Sequence, residues 1–346
     1  MNRIQELATL GQSVWYDNIQ RAPLDDGGLG ALVEAGVTGV TSNPSIFKNA
    51  IAGSADYDDA LGELAPTGMP LTGIYEALAL EDIQRAADVL RPVYDRTGGV
   101  DGYVSLEVSP SLAHDTVATV AEARRLYAAL DRPNVLIKVP ATPAGIPAIE
   151  DLIGGGININ VTLMFSLDHY DAVAGAYIAG LERLAASGRD LSGAASVASF
   201  FVSRVDTMVD QVLEEVGNRE LQGKIAIANT KVAYARFHEV FGGERWERLA
   251  ALGARVQRPL WASTSTKNPR YPDTLYVDAL IGPDTVNTVP PATIDAFLDH
   301  GTVSPSLEAD LDEARDQLAR LAELGIDLDA ITEQLQENGV ISFANA

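Results

Sequence analysis

The chain has 346 residues, with 25 Lys and Arg against 48 Asp and Glu, so its formal net charge is −23. This acidity argues against nucleic acid or an anionic membrane as the main partner. Hydrophobic residues make up 47% of the chain, enough for a large core, and the absence of cysteine excludes disulfides and thiolate nucleophiles. The N-terminal segment is charged and lacks an apolar stretch, which predicts a cytoplasmic protein without signal peptide or membrane anchor.

Short β-branched runs alternate with longer amphipathic stretches along the chain, a rhythm typical of parallel strands joined by helical crossovers. Eight strands are predicted, at residues 13–17, 37–42, 102–108, 135–139, 159–165, 194–202, 259–264 and 285–289. No linker or low-complexity tract interrupts this rhythm, so residues 1–346 are predicted to form one domain.

Helical periodicity is clearest in the C-terminal half of the chain. One apolar stripe after the sixth strand consists of Val205, Met208, Val209, Val212, Leu213 and Val216. A second stripe, in the C-terminal helices expected from about residue 304, consists of Leu307, Leu311, Ala314, Leu318 and Leu321. Residues 274–282 are assigned to a helix capped by Asp273, because a crossover is needed before the last strand.

Eight strands with intervening helices predict an α/β fold, a closed (β/α)8 TIM barrel with extra helices after the second and sixth strands. An open doubly wound sheet is the alternative architecture. Catalytic groups of a barrel lie at the C-terminal ends of its strands. Residues 17, 43, 107, 138 and 199 all stand at or near such ends and together predict a catalytic site.

Several predicted strands carry polar residues where apolar ones are expected. Lys138 lies within VLIKVP, Glu107 within SLEVSP, Asp17 ends SVWYD, and Asn160 and Thr162 share one face of INVTLMF. One interpretation is a buried ion pair between Lys138 and a carboxylate, although such pairs rarely stabilise a fold over apolar replacements. The other is a reactive amine, because a low-dielectric pocket favours a neutral nitrogen that can attack a carbonyl carbon and form a Schiff base.

A second polar cluster follows the sixth and seventh strands. Arg204 stands where a strand gives way to a helix, and residues 263–267 place four hydroxyls and Lys267 after the next strand. Loops after late barrel strands commonly bind phosphate through hydroxyls, backbone N–H groups and a cation. The alternative is ordinary N-capping by Ser203 beside a solvated loop.

Six motifs in this order resemble the transaldolase family, the Schiff-base-forming class I transferases of the pentose phosphate pathway. They are GVTSNPSIF, SLEVSP, LIKVPAT, NINVTLMFS, ASFFVSRVD and WASTSTKNP. The first and last are similar to those of the longer bacterial branch. The resemblance spans nearly the whole chain and implies the same barrel fold.

The resemblance also implies the chemistry and the roles of the polar residues. Lys138 would form the Schiff base, Asp17 would take the proton of the substrate C4 hydroxyl, and Glu107 would act through a water that Thr162 helps to orient. Substrate-binding roles would fall to Asn43, Asn160, Ser199, Arg204, Ser265 and Lys267. The last three would bind phosphate. Better-known members carry arginine at the position of Lys267, and lysine lacks that bidentate fork.

The reaction implied is the transfer of a dihydroxyacetone unit from sedoheptulose 7-phosphate or fructose 6-phosphate to glyceraldehyde 3-phosphate or erythrose 4-phosphate. It needs no metal and no organic cofactor, its partners are phosphorylated sugars, and the sequence is compatible with a monomer or a homodimer. A fructose 6-phosphate aldolase is one alternative. By family pattern such aldolases lack an acidic residue at the position of Glu107, so the glutamate disfavours this alternative. A non-catalytic phosphosugar-binding barrel is the other. Metal chemistry has little support, because the four histidines are far apart and form no HExxH pattern.

Overall fold

The computed structural model describes all 346 residues and contains one closed barrel of parallel strands. Each strand pairs with the next in sequence, and the eighth pairs with the first. The strands are β1 (Gln12–Tyr16), β2 (Val37–Thr41), β3 (Val104–Glu107), β4 (Val135–Pro140), β5 (Ile159–Met164), β6 (Ser196–Phe201), β7 (Arg258–Ala262) and β8 (Thr285–Val289). The predicted (β/α)8 barrel is confirmed, and the open sheet is wrong.

Sixteen α-helices accompany the strands. They are α1 (Arg3–Thr9), α2 (Arg21–Asp25), α3 (Gly28–Glu34), α4 (Pro44–Gly53), α5 (Asp58–Leu64), α6 (Leu71–Arg96), α7 (Thr116–Leu130), α8 (Gly145–Gly154), α9 (Leu167–Ala186), α10 (Ser203–Glu215), α11 (Ile225–Val240), α12 (Glu244–Ala250), α13 (Leu275–Asp278), α14 (Pro291–His300), α15 (Leu311–Glu323) and α16 (Leu328–Ala344). The extra helices predicted after the second and sixth strands are confirmed as α4 to α6 and α10 to α12. No helix has the run of uncharged, apolar residues that a bilayer crossing requires.

Several predicted boundaries are wrong. The cap of α13 is Thr274, not Asp273, whose carboxylate instead accepts a hydrogen bond from His300 Nε2 at 2.8 Å. Leu307 precedes α15 and is buried outside any helix. Val216 lies at the C-cap of α10 and is 52% exposed, because the buried stripe ends at Leu213.

The barrel interior is filled near its middle by Trp15 of β1, which is fully buried. A Cβ on Gly39 of β2 would lie only 2.5 Å from the indole carbons, so this close approach requires glycine. The indole N–H donates to Asp101 at 2.7 Å. Trp15 thus has a fixed position, and Asp17 follows two residues later on the same face of the chain.

The two C-terminal helices lie on different parts of the barrel. Helix α15 packs against α11 in the outer layer. Helix α16 contacts β5, α4 and α10 and the short 3-10 helix Pro110–Leu112, which all lie at the C-terminal ends of the strands or directly after them. The last helix therefore covers the mouth of the barrel where the predicted catalytic residues lie.

Candidate active site

Three of the predicted residues lie side by side on adjacent strands. The register of β3, β4 and β5 pairs Glu107 with Lys138 and Lys138 with Asn160. Lys138 Nζ lies 3.6 Å from Glu107 Oε2, and the two side chains are 6% and 4% exposed. Lys138 Nζ also donates to the carbonyl oxygen of Ser42, at 3.3 Å. The amine and the carboxyl thus share one enclosed pocket at the end of the barrel.

Burial has the largest effect on the pKa of Glu107. Removal of the carboxylate from water raises the pKa of Glu107 to about 7, and the positive charge of Lys138 opposes this rise. Glu107 Oε2 has no hydrogen-bond partner in the protein. A carboxyl with a pKa near neutrality can both give and take a proton at physiological pH, which suits general acid–base catalysis.

Asn160 is held by two hydroxyls in the barrel interior. Its amide Nδ2 donates to Ser105 Oγ at 3.0 Å, and its Oδ1 accepts from Ser199 Oγ at 2.7 Å. These bonds fix which way the amide points. Thr162, on the same face of β5, is fully buried, and its hydroxyl has no partner in the protein. Ser105 was missed by the sequence analysis, although it stands two residues before Glu107 on the same face.

Asp17 is positioned by a hydroxyl of β2, which is itself held by a hydroxyl of β8. Thr41 Oγ1 donates to Asp17 Oδ1 at 2.7 Å and contacts Thr288 Oγ1 of β8. Burial raises the pKa of Asp17, against the opposing effects of Lys138, the Thr41 hydrogen bond and the more distant cations Arg204 and Lys267. Neither threonine was predicted from the sequence, since a single threonine within a strand is ordinary and no other polar residue shares its predicted strand face as Asn160 does with Thr162.

The predicted anion site is assembled from two neighbouring loops. Ser203 N–H donates to the carbonyl oxygen of Ser263 at 3.0 Å, and the hydroxyls of these two residues lie 3.0 Å apart. This contact joins the start of α10 to the loop after β7. Lys267 Nζ donates to Ser265 Oγ at 2.6 Å.

The Arg204 guanidinium lies close enough to Lys267 to influence its pKa. Burial lowers the pKa of Arg204, while burial followed by the positive charge of Arg204 lowers the pKa of Lys267. Two repelling cations beside hydroxyl groups favour an anion between them. N-capping by Ser203 is wrong, because Val202 occupies the cap position without a side-chain bond.

Asn43 has a structural task in addition to its predicted role. Its side-chain oxygen accepts from the backbone N–H of Ile46 at 2.9 Å and so caps α4. Asn43 directly follows Ser42, whose carbonyl oxygen accepts from Lys138.

Two aromatic rings that the sequence analysis did not assign contact the cations. The Arg204 guanidinium lies 5.2 Å from the centroid of the Phe201 ring and 5.9 Å from that of Phe343. The Phe343 ring also lies 5.9 Å from Lys138 Nζ. The contact of Phe201 could have been predicted, because it stands three residues before Arg204 at the end of β6. Nothing in the sequence around Phe343 indicates that its helix lies over the barrel mouth.

The geometry therefore brings the predicted residues into two adjoining clusters at one end of the barrel. One holds Lys138, Glu107, Asp17 and Asn160 with its neighbours, and the other holds the cations. The histidines stay apart: His169 pairs with Glu333 at 2.9 Å, and His300 pairs with Asp273. No group of three or more His, Asp or Glu side chains has the spacing of a metal site.

Comparison with known proteins shows which family this chain is similar to. The model of the family described as Transaldolase/Fructose-6-phosphate aldolase matches residues 14–346. A protein of Thiobacillus denitrificans named Transaldolase is 52% identical, over 99% of this chain and 97% of its own length. Proteins of the same name from Parafrankia sp. and Thermobifida fusca are each 50% identical over 99% of this chain and cover 94% and 95% of their own lengths.

Proposed function

Since the chain belongs to the transaldolase/fructose-6-phosphate aldolase family, we propose that Lys138 forms a Schiff base with the substrate ketone and that the reaction proceeds through it. The activity is that of a transaldolase, a transferase of aldehyde or ketone residues in the pentose phosphate pathway. It moves a dihydroxyacetone unit from a ketose phosphate to an aldose phosphate. The observation that carries the role of Lys138 is its burial 3.6 Å from a carboxyl whose pKa is about 7.

The first half of the cycle breaks a carbon–carbon bond. The neutral Lys138 amine adds to the ketone C2, and the carbinolamine loses water, with Glu107 moving the protons through a water molecule. Asp17 then takes the C4 hydroxyl proton as the C3–C4 bond breaks and the aldose phosphate leaves. The electron pair of that bond passes into the protonated imine, which becomes an enamine still bound to Lys138.

The second half reverses these steps with a different aldehyde. The enamine C3 attacks the aldehyde carbon of the acceptor, whose oxygen receives the proton held by Asp17. Water then adds to the imine carbon and releases the new ketose phosphate. A carboxyl that is half ionised near pH 7 suits both the loss and the addition of this water.

The remaining polar residues bind the substrate. We assign the hydroxyls of the dihydroxyacetone unit to Asn43, Asn160 and Ser199, since the amide of Asn160 is held in a fixed orientation beside Lys138. Thr162 has a buried hydroxyl without a partner and is assigned to the catalytic water or to Glu107. The phosphate is assigned to the cluster of Arg204, Ser265 and Lys267.

A fructose 6-phosphate aldolase is the second candidate, because the matching family includes such lyases. Two observations favour transfer. Relatives at 50% to 52% identity over nearly the full chain are named Transaldolase. Glu107, which the family pattern associates with transfer, lies in the pocket beside Lys138.

We also propose that residues 1–346 work as one domain, because α16 covers the site formed by the strands. A cytoplasmic location is proposed on the chemistry of the substrates, since phosphorylated sugars are charged and do not cross bilayers unaided.

Reductive trapping tests the role of Lys138. The enzyme is incubated with fructose 6-phosphate and borohydride, and peptide mass spectrometry locates the dihydroxyacetone or hexose adduct. We expect the adduct on Lys138, its loss in Lys138→Ala, and its retention in the exposed control Lys48→Ala. An adduct on another lysine, or no adduct at all, would contradict the proposal.

A further inference from the structure

Helix α16 is attached firmly to the strand ends that form the site. Gln336 is 4% exposed, and its side-chain amide donates to the carbonyl oxygens of Ala141 at 3.1 Å and Leu163 at 3.0 Å. One residue directly follows β4, which carries Lys138, and the other lies in β5, which carries Asn160. The helix thus takes its position from the two strands on which the chemistry depends.

A second contact brings the helix close to β5. A Cβ on Gly339 would lie 2.7 Å from Leu163 Cδ2, so only glycine lets the helix approach this far. Leu163 itself has a φ of 60°, where the register between β5 and β6 shifts. The close approach and the two Gln336 bonds hold α16 against the strand ends just before its last turn.

That last turn places Phe343 between the two clusters of the site. Phe343 is 4% exposed, and its ring centroid lies 5.9 Å from both Lys138 Nζ and Arg204 Cζ. In the proposed function, the substrate ketone carbon bonds to Lys138 and the phosphate binds beside Arg204. The carbon chain that joins these two points has to pass next to the Phe343 ring.

We propose that Phe343 is a specificity-determining residue that shields the enamine on Lys138 from water until an acceptor aldehyde arrives. This inference rests on the proposed function. The enamine has two fates. Attack of its C3 on an aldehyde carbon forms a new carbon–carbon bond and completes transfer. Alternatively, C3 takes a proton derived from water and a water molecule adds to C2, which releases free dihydroxyacetone and the lysine amine.

An apolar ring on the mouth side of Lys138 disfavours the second fate, because it excludes water and the proton that water would deliver. The chemistry at Lys138 and Asp17 is common to both fates and does not require the ring. Phe343 is therefore expected to govern the ratio of transfer to release more than the formation of the Schiff base.

The test compares Phe343→Ala and Phe343→Leu with Ile341→Ala, a control on the same helix whose side chain is 54% exposed. Three quantities are measured in each protein: the release of dihydroxyacetone from fructose 6-phosphate without acceptor, the transfer to erythrose 4-phosphate, and the borohydride adduct on Lys138. We expect Phe343→Ala to raise the ratio of release to transfer about tenfold, with a smaller rise in Phe343→Leu. The adduct should persist in every variant, and Ile341→Ala should keep the ratio of the unmodified enzyme.

Specific outcomes would overturn the inference. If Phe343→Ala is folded and trapped normally but keeps the original ratio, the ring does not govern the fate of the enamine. An equal rise in Ile341→Ala would mean that general loosening of α16 causes the effect. If the alanine variant fails to fold, an unchanged ratio in Phe343→Leu is decisive against the proposal. Failure of the unmodified enzyme to form any adduct would instead refute the proposed function, and the inference with it.

Discussion

Replacement of Glu107 by glutamine removes a titratable proton from the pocket of Lys138 but nearly preserves the size of the side chain. The glutamine side chain keeps a polar oxygen beside Lys138 Nζ, where Glu107 Oε2 lies at 3.6 Å. A buried carboxyl with a pKa of about 7 is protonated below that pH and ionised above it. The variant therefore isolates the contribution of this one proton.

The proposed role sets the direction of the effect on rate. Hydrolysis of the imine requires a base that takes a proton from the attacking water, and only the ionised carboxylate can do so. The ionised fraction of Glu107 rises from about 10% at pH 6 to about 90% at pH 8 if its pKa is about 7. Hydrolysis should thus accelerate roughly tenfold over this interval in the unmodified enzyme and stay nearly flat in Glu107→Gln.

Single-turnover measurement of product release from the preformed adduct, at half-unit steps of pH, checks this expectation. The Glu107→Gln profile should lie below that of the unmodified enzyme at pH 8 and approach it at pH 6. If the variant keeps the same inflection near pH 7, another group is responsible and the role given to Glu107 is wrong.

The same proton affects stability in a direction that can be checked without substrate. Because burial raises the pKa of Glu107 above its ordinary value of 4.5, the folded protein holds this proton more tightly than the unfolded chain. The resulting stabilisation is present at low pH and is lost as the pH rises through about 7. Between pH 5 and pH 8 the loss amounts to roughly 2 to 3 kcal/mol. Denaturant unfolding curves at these two pH values should show this loss in the unmodified enzyme and not in Glu107→Gln.

Other substitutions test the remaining assignments. Asp17→Ala should slow cleavage of the carbon–carbon bond by about 10² to 10⁴, yet leave the borohydride adduct intact; loss of both together in a trapping assay would contradict the separate roles. Lys267→Glu should raise KM for phosphorylated sugars by about tenfold or more but barely change KM for dihydroxyacetone, and steady-state kinetics showing equal effects on both would argue against phosphate contact. Gly39→Ala should destabilise the fold by about 1 to 3 kcal/mol, because its Cβ would meet the Trp15 indole at 2.5 Å. The matched change Gly62→Ala, in α5 with nothing within 4 Å, should instead stabilise it by up to about 1 kcal/mol in the same denaturant titration.

Local periodicity was enough to predict the barrel and to single out Lys138. Strands that are covered on both sides need apolar side chains, so a lysine inside VLIKVP stands out in the sequence alone. Positions two apart share a strand face, which also links Asn160 with Thr162 from the sequence alone. Strand ends were less well predicted, since they depend on pairing with neighbours: β6 is shorter at both ends than the run of residues that suggested it.

The amino-acid sequence by itself determined the order of strands and helices, the polar positions within the strands and, through its ordered motifs, the resemblance to a family. Only the tertiary structure decided which distant residues share the site. Thr288 reaches Thr41 across 247 positions of the chain, and Gln336 and Phe343 approach β4 and the anion site from the last helix. The physical reason is that a strand reveals its buried face through its own alternation, whereas the partner of a C-terminal helix depends on how the closed barrel directs the chain back over its mouth.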